Sequence, residues 1–321
     1  MTEHRLSRHA ADVEAAIMSG QAAKSALVAS WCRSARLHRL DPEGSRTPVR
    51  LTEIELLQKK ERIAPLLRVA QPFMDRLHQA VGAAGCCVLL SGSDGIPVDR
   101  RGVAADDTTF KSWGLWTGAI WSEEQEGTNG IGTCLVERRL LTIDRDQHFF
   151  SKNILLSCTA APIYDQDASL AGVLDVSSCR ADRTDLFVDL IRLAVGEAAR
   201  RIEAEMFRAS FARARIMLLP TADGQGGGLL AVDADDLVIG ATRSARVALG
   251  LAPEGAFHPV PAADLLGASG AASEHLGDVQ RSVLQRALVR ADGNVSAAAK
   301  ALGVSRATLH RKLKRFELRT H

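Results

Sequence analysis

The sequence predicts an α+β chain in three parts: an antiparallel sheet flanked by helices, a small hairpin element, and an all-α C-terminal module. Three observations predict it. Gly92-Ser-Asp-Gly95 and Asp165-Gln-Asp-Ala168 are turn signals, each set between short apolar runs, which marks β-hairpins. Phe187, Ile191, Ala194, Ala198, Ile202 and Met206 recur at helical steps of three and four, forming one face of a long helix. Asn294 to Arg315 then reads as helix, glycine turn, helix.

The first sixty residues are helical by pattern. Val13, Ala16 and Ile17 precede a break at Ser19-Gly20, and Leu27, Val28 and Trp31 begin a second stripe that Asp41-Pro-Glu-Gly44 ends. Thr52-x-x-Glu55 is a capping-box pattern opening a third helix, Thr52 to Ala64. Pro65 and Pro72 are expected to interrupt its continuation, which resumes from Phe73 to Val81. Residues 85–91 and 96–100 form the first hairpin, Leu140 to Arg145 a further strand, and 157–164 with 169–177 the second hairpin. Thr128 to Arg138 is helical by composition, and the long helix is expected to run to Leu218. Pro220 to Gly228 is a glycine-rich linker, followed by a hairpin over 228–240 and a short helix over 241–249. Ala252 to Ser273, rich in Ala, Gly and Pro, reads as a flexible tether. The expected divisions are therefore 1–64, 65–218, 219–250, 251–275 and 276–321.

Composition narrows the function classes. No run of eighteen apolar residues occurs and the N-terminus lacks a signal-peptide core, so a cytoplasmic protein without membrane contact is expected. Cys32, Cys86, Cys87, Cys134, Cys158 and Cys179 show neither a CxxC pair nor zinc-like spacing, so free thiols are expected and no metal or cofactor. No Ser-His-Asp, HExxH or paired-carboxylate constellation stands out, so no catalytic residues are assigned and no enzyme is expected. Charge is unevenly placed: residues 277–321 hold ten Lys/Arg against three Asp/Glu, giving +7, while the remainder of the +2 chain sums to −5. A basic module on an acidic body is the footprint of nucleic-acid binding.

In the terminal run, Asn294 or Ser296 can cap the first helix, Gly303 turns the chain, and Ser305 caps the second. Leu309, Leu313 and Phe316 form its apolar stripe and leave Arg306, His310, Arg311, Lys312, Lys314 and Arg315 outside it. Asn294-x-Ser-x-Ala-Ala-x-x-Leu-Gly-Val-Ser-Arg-x-Thr-Leu-x-Arg-Lys-Leu-Lys314, with a preceding helix from Leu276 to Arg290, resembles the Fis-type helix-turn-helix that ends many bacterial enhancer-binding activators. The resemblance implies that Asn294 and Ser296 touch DNA phosphate. It also implies that Ser305, Arg306, Thr308, His310, Arg311, Lys312 and Lys314 face the groove or its walls.

A second resemblance lies in the body. Trp121-Ser-Glu-Glu-Gln-Glu-Gly-Thr-Asn-Gly-Ile-Gly-Thr-Cys-Leu135, Asp146-Gln-His-Phe149, Cys158-Thr-Ala-Ala-Pro-Ile163 and Ala171-Gly-Val-Leu-Asp-Val-Ser177 are similar to the GAF sensor of acetoin- and dihydroxyacetone-responsive activators. Ser30-Trp-Cys-Arg-Ser34 matches that group too, and 228–249 resembles the opening of a PAS domain, truncated here. The glycines of 127–132 do not make a dinucleotide fingerprint and are read as close-packing positions, with Thr128 or Asn129 capping the helix. Candidate effector-binding residues are Trp113, Trp116, Trp121, Thr128, Asn129 and Cys158; the tryptophans serve equally as core packing.

Those activators normally carry an ATPase motor between sensor and DNA module. None of the eight lysines here follows a glycine, as the phosphate-loop lysine must. The expectation is a one-component transcription regulator without ATPase activity. Its expected partners are double-stranded DNA, a small organic effector, a second copy in a homodimer, and RNA polymerase or a partner activator. Alternatives are a redox- or metal-responsive GAF regulator, or a GAF-type methionine sulfoxide reductase using Cys86, Cys87 or Cys134.

Overall fold

A computed structural model describes residues 3–44, 49–180, 184–219, 227–266, 276–316 and 318. The chain divides into two compact units, one of residues 1–164 with 170–206, the other of 165–169 with 207–321.

The first unit opens with helices α1 (Glu3–Met18) and α2 (Ala26–Cys32), the latter running on into a π-type turn over Arg33–Leu37. Helix α3 (Glu53–Arg62) carries the capping box, with Thr52 accepting from the Glu55 amide. Helix α4 (Ala64–Val81) corrects the expected interruption, because Pro65 lies in its first turn and Pro72 inside it. A first-turn proline forfeits no intrahelical bond. Pro72 and Arg68, whose carbonyl it leaves without that bond, are exposed, while Leu66, Ala70, Met74, Leu77 and Val81 bury the opposite face. Packing of that face outweighs the local cost of the proline.

Strands β1 (Cys86–Gly92) and β2 (Pro97–Arg101) form the first hairpin. After α5 (Asp107–Ser112), α6 (Glu123–Glu126) and α7 (Gly130–Glu137) come β3 (Leu141–Asp144), β4 (Ser157–Tyr164) and β5 (Leu170–Ser178). The sheet order is β2-β1-β5-β4-β3, antiparallel throughout. Helix α8 (Asp185–Ser210) returns across it. Strand periodicity sorts the faces. Val88, Leu90, Leu174 and Val176 meet α4 and α8, whereas Cys87, Leu89, Cys158 and Val173 meet Phe110, Trp121, Ile131 and Cys134. Helices α1 and α2 belong to the same unit, with Val13, Ile17, Val28 and Trp31 packed on Phe149 and Phe150.

The second unit departs from expectation at both ends of its small sheet. The long helix stops at Ser210, and Arg215–Leu219 is strand β6 instead of its last turns. Strands β7 (Gly228–Val232) and β8 (Leu237–Ala241) form the expected hairpin, with helix α9 (Arg243–Ala248) after it. Within the supposed tether, Val260–Pro261 is strand β9 and Ala262–Leu266 is helix α10. The order β6-β7-β8-β9 shows why: the central hairpin offers two open edges, and the flanking segments pair with them. Residues 220–226 of the expected linker and 267–273 of the tether lie outside the described residues. Helices α11 (Leu276–Arg290), α12 (Val295–Ala301) and α13 (Arg306–Arg315) close the chain around Leu284, Leu288, Ala298, Leu309 and Leu313.

Candidate nucleic-acid interface and sensor site

The Asn294 side chain, not Ser296, caps α12, with Oδ1 accepting from the amides of Ser296 and Ala297 at 3.0 and 3.2 Å. At its other end Val304 N–H donates to Ala299 O (3.0 Å) and Gly303 N–H to Lys300 O (3.2 Å). This is a Schellman motif, and it requires Gly303 at φ +64°. Ser305 Oγ accepts from the Thr308 amide at 3.1 Å and shares a 2.9 Å hydrogen bond with Thr308 Oγ1. These caps set the turn between α12 and α13.

Leu309 and Leu313 are buried, so α13 can present only its other sides. Asn294, Ser296, Ser305, Arg306, His310, Arg311 and Lys314 are exposed, and Thr308 and Lys312 are half-buried. No acid pairs with Arg306, Arg311, Lys312 or Lys314 among the described residues. Unpaired cations on an exposed helix can displace the counterions of a phosphate backbone, and side chains such as Arg311 can reach base edges.

The first unit arranges polar groups the other way, inside. Glu123 is buried at the start of α6, where Arg33 Nε donates to it at 2.9 Å and Ser30 Oγ also donates. Ser30 and Ser34 reach Thr128 Oγ1 at 2.7 and 3.3 Å, and Arg33 Nη2 reaches Glu137 at 3.0 Å. Lys152 pairs with buried Glu126 at 2.9 Å. Asn129 caps α7, accepting from the Gly132 amide at 2.8 Å. Thr128 and Asn129, expected as effector-binding residues, thus make hydrogen bonds inside the first unit. The glycines are there for close approach: a Cβ on Gly130 would lie 2.6 Å from Cys158 Cβ, and one on Gly132 2.5 Å from the Glu123 nitrogen.

The three tryptophans sit in different settings. Trp121 is core, its Nε1 donating to Gly114 O at 2.8 Å, and Trp113 packs beside that cluster half-buried. Trp116 is a platform for cations, with the Arg100 guanidinium and Lys111 ammonium each 4.3 Å from its ring.

Two residues missed by sequence reasoning share this face. Leu89 pairs with Arg100 of β2 on one side and Asp175 of β5 on the other. Asp175 Oδ2 accepts from Ser177 Oγ at 2.6 Å, but its buried Oδ1 has no hydrogen-bond partner among the described residues. Burial pushes its carboxyl up to about 7. Arg100 donates to Asp107 through Nη1 (2.8 Å), while its buried Nε and Nη2 lack partners among the described residues. Buried polar groups are normally satisfied, so unfilled capacity on one face is a ligand signal. An acid at an inward position of an alternating strand was the available clue.

Cys158 Sγ lies 3.0 Å from Ser177 Oγ, whose one proton goes to Asp175. Cys86 and Cys87 point to opposite faces of the sheet, and burial pushes the Cys87 and Cys134 thiols well up. Thiols held protonated are poor nucleophiles and ligands, which weighs against the redox and reductase alternatives. Among the described residues no group of three or more His, Cys, Asp or Glu is placed to hold a metal, and no helix is long and apolar enough to cross a membrane.

Residues 65–202 match the GAF domain, and residues 275–316 match the Fis family of bacterial regulatory proteins. The acetoin catabolism regulatory protein of Cupriavidus necator is 31% identical over 261 residues, covering 78% of this chain and 38% of that protein. The acetoin dehydrogenase operon transcriptional activator AcoR of Bacillus subtilis is 32% identical over 172 residues, covering 54% of this chain and 28% of the activator. The chain thus spans well under half the length of these relatives. The crystal structure of the E. coli DhaR(N)-DhaL complex aligns with a TM-score of 0.52 at 15% identity, covering 83% of this chain and 86% of that one, a likeness of fold.

Proposed function

We propose that this chain, which joins a GAF domain to a Fis-family helix-turn-helix, is a transcription regulator that binds DNA through α13 under control of a small organic effector. The observation that carries the reading is the row of cations on α13 that pair with no acid among the described residues, on a segment of charge +7. Ser305, Arg306, Thr308, His310, Arg311, Lys312 and Lys314 contact the groove, and Asn294 and Ser296 the phosphates at its edge. A homodimer sets two recognition helices on two half-sites.

The effector is a small oxygenated molecule that uses the unfilled donors of Arg100 and the unfilled acceptor of Asp175. Beside it stands Trp116, with Trp113 and Trp121 in the surrounding core. The four-stranded element of the second unit is a truncated PAS-like module. Only 72 residues separate the GAF and Fis-family matches, too few for an ATPase motor, so regulation works by occupancy of DNA and contact with polymerase or a partner activator.

Titrating the DNA upstream of its own gene with the protein, across a range of salt, tests the reading. Affinity is expected to fall steeply as salt rises, with a slope of about −0.9 per phosphate contact. Affinity indifferent to salt would overturn it. Arg100→Gln and Asp175→Asn are expected to abolish the response to the effector while leaving DNA affinity in its absence unchanged.

A further inference from the structure

The three arginines of α11 are engaged quite differently from the cations of α13. The turn between β7 and β8 is Asp233-Ala-Asp-Asp236, and Asp233 builds it, Oδ1 accepting from the amides of Asp235 and Leu237 at 2.9 Å each. That leaves the carboxylates of Asp235 and Asp236 for partners. Asp235 takes Arg281 at 3.3 Å and the Ser282 hydroxyl at 3.5 Å. Asp236 takes Arg286 at 3.7 Å, alongside Arg215 of β6 at 3.1 Å. Asp264 of α10 holds Arg290 in a two-point pair, with Nε donating at 2.8 Å. The contact excludes water at its centre, where Asp235 is 8% and Ser282 4% exposed.

The opposite face of α11 carries Leu284, Ala287 and Leu288 into the core shared with α12 and α13. The helix is therefore common to two contacts: whatever holds its arginines also holds the recognition helix. We propose that the acidic turn and Asp264 form an electrostatic latch, which pins the helix-turn-helix through Arg281, Arg286 and Arg290 and keeps it in a weak DNA-binding state. The latch rests on the DNA-binding reading above. Closed, it neutralises three of the ten cations of the module and sets three carboxylates beside it, lowering the potential that draws in phosphate. Its pairs at the rim are half-exposed, hence individually weak and easily exchanged. A latch of this strength opens under a modest competing load, which suits a switch.

Removing a cation from a DNA-binding module ordinarily weakens binding, so the latch makes a prediction of the opposite sign. In the full chain at about 0.1 M salt, Arg290→Gln is expected to tighten DNA binding by about three- to fivefold, the gain from freeing one weak pair. Asp264→Asn should tighten it more, because it also leaves the Arg290 cation free, and combining the two should give no more than Asp264→Asn alone. Both sites are on the surface, and circular dichroism confirms folding of each variant. Arg290→Gln binding DNA equally or more weakly than wild type overturns the latch while leaving DNA recognition intact. Wild type that binds no duplex even at low ionic strength instead removes the DNA-binding reading, and the latch with it.

Discussion

In the first unit, Glu123, Thr128, Asn129 and Asp175 are buried and bonded to partners inside it, whereas Arg306, His310, Arg311 and Lys314 of α13 are exposed and pair with no acid among the described residues. The same kinds of side chain carry opposite consequences. Changing a buried polar group leaves its partner desolvated and unpaired, so damage falls on stability. Changing an exposed cation leaves the fold alone, so damage falls on binding. Four experiments would break or sharpen that contrast.

Glu123→Ala should cost the most stability, because Arg33 and Ser30 lose the carboxylate they both reach. A loss of about 3 kcal/mol is expected, because buried Ser30 loses its acceptor while partly exposed Arg33 keeps only Glu137. Urea unfolding of the first unit measures it, and an unchanged midpoint would mean the network is ornamental.

Asp175→Asn should act in the other direction and only at higher pH. The folded carboxyl titrates at about 7, above its ordinary 3.8, so the folded state holds the proton more tightly. The wild type is then free of the penalty below pH 3.8, and loses stability as pH rises from there to about 7. The variant should gain up to about 4 kcal/mol at pH 8 and nothing near pH 4, because each tenfold difference in proton affinity between the folded and unfolded chain is worth about 1.36 kcal/mol. Thermal unfolding against pH checks it; a gain independent of pH would point to packing instead.

Arg311→Ala should cost DNA binding about 1–3 kcal/mol if it reads a base edge, and leave the melting temperature in place. If it touches phosphate, the salt slope should flatten by about one. Competition with altered sites separates the two. Asn294→Ala is the smallest, about 1 kcal/mol of helix stability lost with the cap, read in the melting of the full chain.

Legibility follows the range of the interactions. The hairpin β1–β2, the capping box at Thr52 and the α12–α13 turn are set by residues within a few positions of one another, and each is readable. The end of α8 is not. Ile216-Met-Leu-Leu219 is an apolar run too short for periodicity to distinguish helix from strand, and it becomes a strand because β7 offers an edge. The fold of the GAF domain is visible in its alternating strands, but its proposed site is not. Trp113, Trp116 and Trp121 are conspicuous in composition but differ in setting, whereas Arg100 and Asp175 are ordinary in sequence and become neighbours of Leu89 through strand register.

By itself the sequence determined that this chain ends in a basic helix-turn-helix, and that antiparallel hairpins and a long amphipathic helix precede it. Caps, turns and apolar spacing are local, and charge is additive along a chain. Only the tertiary structure decided that Ser30 and Arg33 bond to Glu123 some ninety residues away, and that Asp235 meets Arg281. The worth of a polar side chain depends on whether water or a partner surrounds it. Folding settles that by bringing together groups whose spacing in sequence carries no signal.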